Sequence, residues 1–294
     1  MQNLLKKIFK VNRMKTETTI LGLDAALKSA RLARKSIGLI SAKGRLHQGH
    51  LSIIREARKL CDVVVVSIFV NPARFNAVQD YANYCSILSN DHYLLADMGC
   101  DLLFVPTVQQ LYGDDLCRTK ITVPGITDIL CGQFHYGYFD DDITTLTKLF
   151  NIVQPGLAFL GQIDWQKIEI MRAIRRDLNL PVAIVAVPIF RDENGVVLSR
   201  CNTEFNDQQR RLAPLVYQSL LKAQQNLYAG QRLSCVLEEI YQTLQQSGFE
   251  IEYVQAYTPY LEPVIKFDQN IMLFVAVKLG IFRLKDNINV KYPS

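Results

Sequence analysis

The chain has 294 residues, 49% hydrophobic and 21% charged, with a formal net charge of +5 at pH 7. This is the profile of a soluble globular protein with a large core and room for two domains. No apolar stretch reaches the roughly 18 residues of a membrane span, and the mild positive excess contains no long basic run, so an anionic small molecule is the expected partner rather than membrane or nucleic acid.

Residues 1–14, "MQNLLKKIFKVNRM", read as a basic, slightly amphipathic extension without a signal-peptide core or cleavage site. The regular pattern begins just after Met14. Apolar spacing predicts a helix over Leu23–Lys35, then a buried strand in "SIGLISA". "HLSIIREARKL" sets Leu51, Ile54, Ala57 and Leu60 on one helical stripe. "DVVVVSIFV" is β-branched and almost unbroken, as a strand covered on both faces should be. A loop "NPARFN", a helix around Tyr81–Met98 and a strand "DLLFVP" follow, then a less regular region over Thr107–Gly137. "TTLTKLFNIV", "GLAFLG", "DWQKIEIMRAIRRDL" and "VAIVAVP" continue the alternation of helix and strand. The expected fold class is therefore α/β, a Rossmann-like parallel sheet with right-handed crossovers, over residues 15–188.

After Asn202 the texture changes. "DQQRRLAPLVYQSLLKAQQNLYAG" predicts a single helix closed by Gly230, and "RLSCVLEEIYQTLQQSG" a second. Three short strands follow. Residues 189–294 are expected to form a smaller α+β domain, with the boundary between Pro188 and Asn206. The seven cysteines include no C-x-x-C pair, which points to reduced thiols and a cytoplasmic protein.

Two of the four histidines, His47 and His50, stand at the turn between the first buried strand and its helix. In an open parallel sheet, ligands bind beyond the carboxyl ends of the strands. Helix N-termini offer N–H groups and partial positive charge to phosphates. Gly49 leaves room for a nucleotide against the backbone, and residues three apart share one face of a turn. Both imidazoles can then stabilise charge that builds on one phosphate. H-x-x-H can also hold a metal, but no Cys or acidic neighbour completes a ligand set, so no protein metal site is expected. Taken alone, Asn71 reads as a turn cap beside Pro72 and Asp164 as a helix N-cap.

"LHQGHLSIIREAR" resembles the H-x-G-H segment of the nucleotidyltransferase superfamily, and most closely that of the pantoate–β-alanine ligase (pantothenate synthetase) family. The likeness runs from about Leu21 to Val290, through "VVVVSIFVNPARF", "KLFNIVQPGLAFLGQIDWQ", "DLNLPVAIVAVPIFRDENGVVLS" and "FRLKDNI". It implies an ATP- and Mg²⁺-dependent ligase. A pantoate carboxylate attacks the α-phosphate, pyrophosphate leaves, and β-alanine displaces AMP to give pantothenate. It also implies a homodimer. His47 and His50 then contact ATP, with His50 as proton donor, and ATP lies against Lys43, Gly44, Leu46, Gly49, Gly161, Asp164, Phe190, Leu198, Ser199 and Arg200. Asn71, Arg74 and Lys167 face the other substrates.

The chain departs from the family pattern at the site itself. Lys43 stands for a methionine, Arg74 and Lys167 for glutamines, Ile163 for the lysine of G-x-K-D, and "LSRCN" for L-S-S-R-N, with Arg200 shifted and Cys201 in the arginine position. "FRLKDNI" resembles the family's closing R-L-I-D-N. Asp140, Asp141 and Asp142 replace a basic residue, a glycine and a valine. Two other readings stay open on these residues: an adenylate-forming enzyme for a more anionic acid, and a non-catalytic nucleotide-binding homologue.

Overall fold

The computed structural model describes residues 14–69, 78–113, 118–135, 137–265 and 270–291, without the side chains of 78–86, 200 and 201. Packing divides the chain into two compact units. The first gathers the described residues of Met1–Val123, Phe139–Gln162 and Ile170–Pro188; the second gathers those of Pro124–Tyr138, Ile163–Glu169 and Ile189–Ser294. The units change over at Pro188 and Ile189, and 124–138 and 163–169 also pack with the second unit. Their side chains bond to its strands, as described below.

The first unit is built on a six-stranded parallel sheet of order β1-β4-β3-β2-β5-β6. The strands are β1 (Lys15–Glu17), β2 (Ile37–Ala42), β3 (Val63–Ile68), β4 (Leu102–Phe104), β5 (Leu157–Gly161) and β6 (Ala183–Val187). Helices α1 (Ile20–Leu32), α2 (Gln48–Leu60), α3 (Val78–Asp97), α4 (Val108–Tyr112), α6 (Asp140–Val153) and α7 (Trp165–Asp177) lie between them in sequence, with α5 (Cys131–Phe134) in the second unit. The chain moves outward from β2 to β3 and β4, then returns to β5 on the other side of β2. The order thus reverses between β2 and β5, where a doubly wound sheet opens a crevice at its carboxyl edge.

Strand β3 is buried over five of its six residues, which explains its unbroken valines. Helix α2 buries Leu51, Ile54 and Ala57 against Ile40, Val64 and Val66 in one core; each full-sized side chain contributes about 1.5–3 kcal/mol. Gly38 lies within β2 because a Cβ there would sit 2.7 Å from Cys61 Sγ.

In the second unit, α9 (Pro214–Tyr228) and α10 (Leu233–Gln246) cover an antiparallel sheet of β7 (Glu250–Tyr257), β8 (Ile271–Leu279) and β9 (Phe282–Val290). Leu220, Val236, Ile240 and Leu244 meet Leu273, Val275 and Val277 in its core.

Several expected elements differ. The helix before β2 runs Ile20–Leu32 and is capped by Thr19, whose side chain accepts from Gly22 N. The predicted single helix after Asn206 is two, α8 (Asp207–Leu212) and α9, because Pro214 opens a new first turn. Helix α6 starts at Asp140, four residues before the apolar pattern. Leu60 is exposed, so the stripe of α2 ends at Ala57. Among the described residues no helix is long and apolar enough to cross a membrane, and Cys61, Cys100, Cys131 and Cys235 are free thiols.

Candidate active site

The turn after β2 carries the two histidines. Gly44 and Arg45 take positive φ of 77° and 53°, which swings the chain from strand into helix. At Gly44 a Cβ would also approach Asp91 Oδ2 at 3.3 Å. His47 is the N-cap of α2, in extended conformation. Its Nδ1 accepts from Gly49 N at 3.2 Å, and His50 Nδ1 accepts from His47 N at 3.4 Å. This reciprocal capping box is built from imidazoles rather than hydroxyl and carboxyl groups. Accepting at Nδ1 places the proton of each neutral ring on Nε2. The ring centroids are 4.1 Å apart and both residues are half-buried, so the pair lies in neither the packed interior nor full solvent.

The turn is braced from helix α3. Asp91, 2% exposed, accepts from Leu46 N through Oδ1 at 2.8 Å and also receives the Arg45 N–H. Burial pushes its carboxyl above the usual range, against the pull of those two N–H groups. Leu46 itself packs onto the sheet core. Gly49 spends its N–H on the cap, so its part in the expected backbone contact is partly structural.

Lys43 pairs with Asp142 at 2.7 Å. Both are departures from the family pattern, and they meet. Asp140, Asp141 and Asp142 form the first turn of α6, where acids complement the helix dipole.

Gly161 ends β5, paired with Val187. Gln162–Asp164 form a 3₁₀ turn, and α7 begins at Trp165. In the second unit Asp164 bonds to Lys285 of β9. Gln166 donates to Ile126 O and Ile129 O at 2.8 and 2.7 Å and accepts from Cys131 N at 3.2 Å, which holds 126–131 against α7. Lys167 is half-buried in the first turn of α7. The turn from Phe190 to Ser199 closes through an Arg191–Val197 bridge and a Leu198 N bond to Phe190 O at 3.4 Å. Arg191 anchors it, making two bonds to Asp286 at 2.6 and 2.7 Å and lying 3.6 Å over the Tyr217 ring. Ser199 then caps the 3₁₀ helix Arg200–Glu204 through Asn202.

The first unit thus brings together Lys43, Gly44, Leu46, His47, Gly49 and His50. Asp164, Lys167, Phe190, Leu198 and Ser199 belong to the second unit. Asn71 and Arg74 lie outside the described residues, as do the side chains of Arg200 and Cys201. Residue-type reasoning missed Asp91, Gln166 and Lys285. Asp91 had a readable signal: it stands in the apolar stripe of α3, between buried Leu88 and Leu95.

A parallel sheet reversing beside β2, with a histidine-capped helix at that strand's carboxyl end, defines an α/β enzyme of nucleotidyltransferase-like fold. Residues 15–289 match the family model described as pantoate-beta-alanine ligase. A curated pantothenate synthetase of Acinetobacter baylyi is 51% identical over 96% of this chain and 100% of its own. The crystal structure of pantothenate synthetase from Thermus thermophilus superposes with a TM-score of 0.85 at 33% identity, covering 95% of this chain and 100% of that one. A pantoate-beta-alanine ligase from Francisella tularensis, complexed with beta-gamma ATP and beta-alanine, gives 0.75 at 28% identity, covering 94% and 97%. The chain belongs to the pantoate–β-alanine ligase family, and its activity is the formation of pantothenate.

Proposed function

We propose that the chain forms pantothenate through a pantoyl-adenylate and that the His47–His50 turn carries the first step. A pantoate carboxylate oxygen bonds to the α-phosphorus of ATP, the bond from that phosphorus to the bridging oxygen breaks, and pyrophosphate leaves. The amine of β-alanine then attacks the acyl carbon, loses a proton, and expels AMP. A carboxylate resists amines until one oxygen is made a leaving group, so the protein's task is positioning and charge stabilisation.

The observation that carries this reading is the tautomer set by the capping box. With both Nδ1 atoms accepting backbone N–H groups, each ring offers an Nε2–H to a phosphate oxygen at a helix N-terminus. Asp91 holds the turn in that posture. Gly161 and Asp164, the Phe190–Ser199 turn and Arg200 serve the nucleotide in this reading, and Asn71, Arg74 and Lys167 serve pantoate and β-alanine. In this reading Mg²⁺ arrives on the triphosphate, whose charge it neutralises. A homodimer and a cytoplasmic location complete the reading; sedimentation velocity tests the former.

The alternative of a more anionic acid rests on three added cations, Lys43, Arg74 and Lys167. The charge of Lys43 is met by Asp142, which favours pantoate. ATP–pyrophosphate exchange across a panel of acids is the test. Exchange with pantoate is expected, and exchange only with a dicarboxylate sinks the assignment.

A further inference from the structure

Within the second unit, three residues of β9 at alternate positions, Arg283, Lys285 and Asn287, turn one face toward the segments that precede the C-terminal region. Arg283 donates to Glu252 Oε2 at 2.7 Å and to Cys131 Sγ at 3.3 Å. Lys285 Nζ bonds to Asp164 Oδ1. Asn287 Nδ2 reaches Ile163 O at 3.4 Å. The strand is thereby registered against Ile163 and Asp164.

The two ion pairs of this face differ. Glu252 is sealed in, with 6% of its side chain exposed, and its bond to Arg283 is internal. Asp164 is 46% exposed and Lys285 26%, so their pair opens to one side. Burial opposes the Lys285 charge, yet Asp164 beside it holds its pKa above the ordinary lysine value, so the ammonium persists through the working pH range. Without it, the turn would offer an incoming polyphosphate a carboxylate and the isoleucine side chain of Ile163, a repulsive surface.

The sequence shows the same thing as an exchange. Ile163 stands where the G-x-K-D pattern has lysine, and Lys285 stands where the R-L-I-D-N pattern has isoleucine. Both positions touch Asp164, one through the chain and one through space. We propose that Lys285 is a polyphosphate-binding residue, reaching from β9 to supply the cation that Ile163 does not supply from the turn. This rests on the ATP-dependent reading above, in which Asp164 serves the nucleotide.

The test is equilibrium binding of β,γ-methylene-ATP with Mg²⁺, and of AMP, to the full chain. Lys285→Met keeps the apolar stem and removes the charge. It should weaken the triphosphate analogue about ten- to a hundredfold, the scale of one charged contact, and change AMP affinity less than about twofold. Returning the exchange in full, Ile163→Lys with Lys285→Ile, should restore the analogue affinity. Equal losses for the analogue and AMP, no loss for either, or no restoration in a double variant that melts as wild type does, each overturn the proposal. Lys285→Arg serves if the methionine variant does not fold; it should bind the analogue within about threefold of wild type, and a loss as large as that set for methionine counts against the proposal. A wild-type chain that binds the analogue but makes no pantothenate would refute the proposed function and leave this inference standing.

Discussion

The histidine turn of the first unit and the Ile163–Asp164 turn of the second both serve the nucleotide in the proposed reading, which keeps the one and rewires the other. At the histidine turn the chemistry is tied to the backbone: His47 caps α2, His50 answers it, and replacing either ring removes half of the capping box. At the other turn the cation is only a charge that must reach a place. It can be delivered from the turn itself or from β9, 122 residues after Ile163 in sequence (285 − 163). Functions bound to local geometry stay where they are, whereas functions carried by a flexible charged stem can migrate.

The largest effect should come from breaking the backbone-tied turn. His50→Ala removes an Nε2–H donor and half of the capping box. Adenylation, followed as ATP–pyrophosphate exchange with pantoate, should slow by at least about a hundredfold, the scale of one lost electrostatic contributor. The cap alone accounts for about 1 kcal/mol of stability, so a modest fall in Tm with a full loss of rate separates chemistry from folding. Near-normal turnover would remove His50 from the mechanism.

Asp91 tests whether the brace matters as much as the rings. Asp91→Ala leaves the Leu46 N–H without its acceptor in a buried place, a cost of about 1–3 kcal/mol. KM for ATP should rise more than kcat falls, because the turn loosens while both histidines remain. Asp91→Asn keeps an acceptor and sharpens the point by pH. The folded pKa of Asp91 is raised by burial, so its contribution to stability is fully present below the unfolded value of about 3.9 and is lost as pH rises through the folded value. In urea titrations the stability of Asp91→Asn relative to wild type should therefore increase from pH 4 toward neutrality. A flat difference would show that Asp91 is not the group titrating.

The same contrast explains what could be read from the sequence. The parallel sheet, the order of its elements and the histidine turn were all legible, because hydrophobic period and local turn chemistry write them within a few residues. The short strand β1 was not, since three residues of mixed burial carry no period. The start of α6 was hidden because its first turn is acidic rather than apolar. Pro214 was visible, yet the apolar spacing on either side of it read as one helix. Lys285 lay outside any local signal; its role depends on which strand registers against the Asp164 turn, and that is a tertiary fact. Asp91 lay between these cases, a carboxylate standing in an apolar stripe.

A smaller gain of function probes the substituted positions. Arg74→Gln together with Lys167→Gln should raise kcat/KM for pantoate by about three- to tenfold if the two cations have retuned the acid site, the range of one or two partly screened charges. Lys167 is half-buried at the start of α7, so its share can be separated from that of Arg74 by the single variants. No gain in either single or the double would show that these two cations have not retuned the acid site.

The smallest effect concerns Lys43 and Asp142, where both partners are departures and the pair sits at the rim of the histidine turn. Lys43 has 53% of its side chain exposed and Asp142 17%. A pair this open is screened, and its coupling should be about 0.2–1 kcal/mol in a double-mutant cycle of Lys43→Met and Asp142→Val read by urea unfolding. The single variants should then be unequal in function: Asp142→Val releases an ammonium beside the turn, while Lys43→Met leaves an acid that α6 still favours at its N-terminus. ATP affinity should accordingly shift with Asp142→Val and fall with rising salt, but scarcely move with Lys43→Met. A coupling above about 2 kcal/mol, beyond the range of exposed pairs, would mean that the pair holds the turn as Asp91 does, and the line between backbone-tied and migrating charge would have to be redrawn to include it.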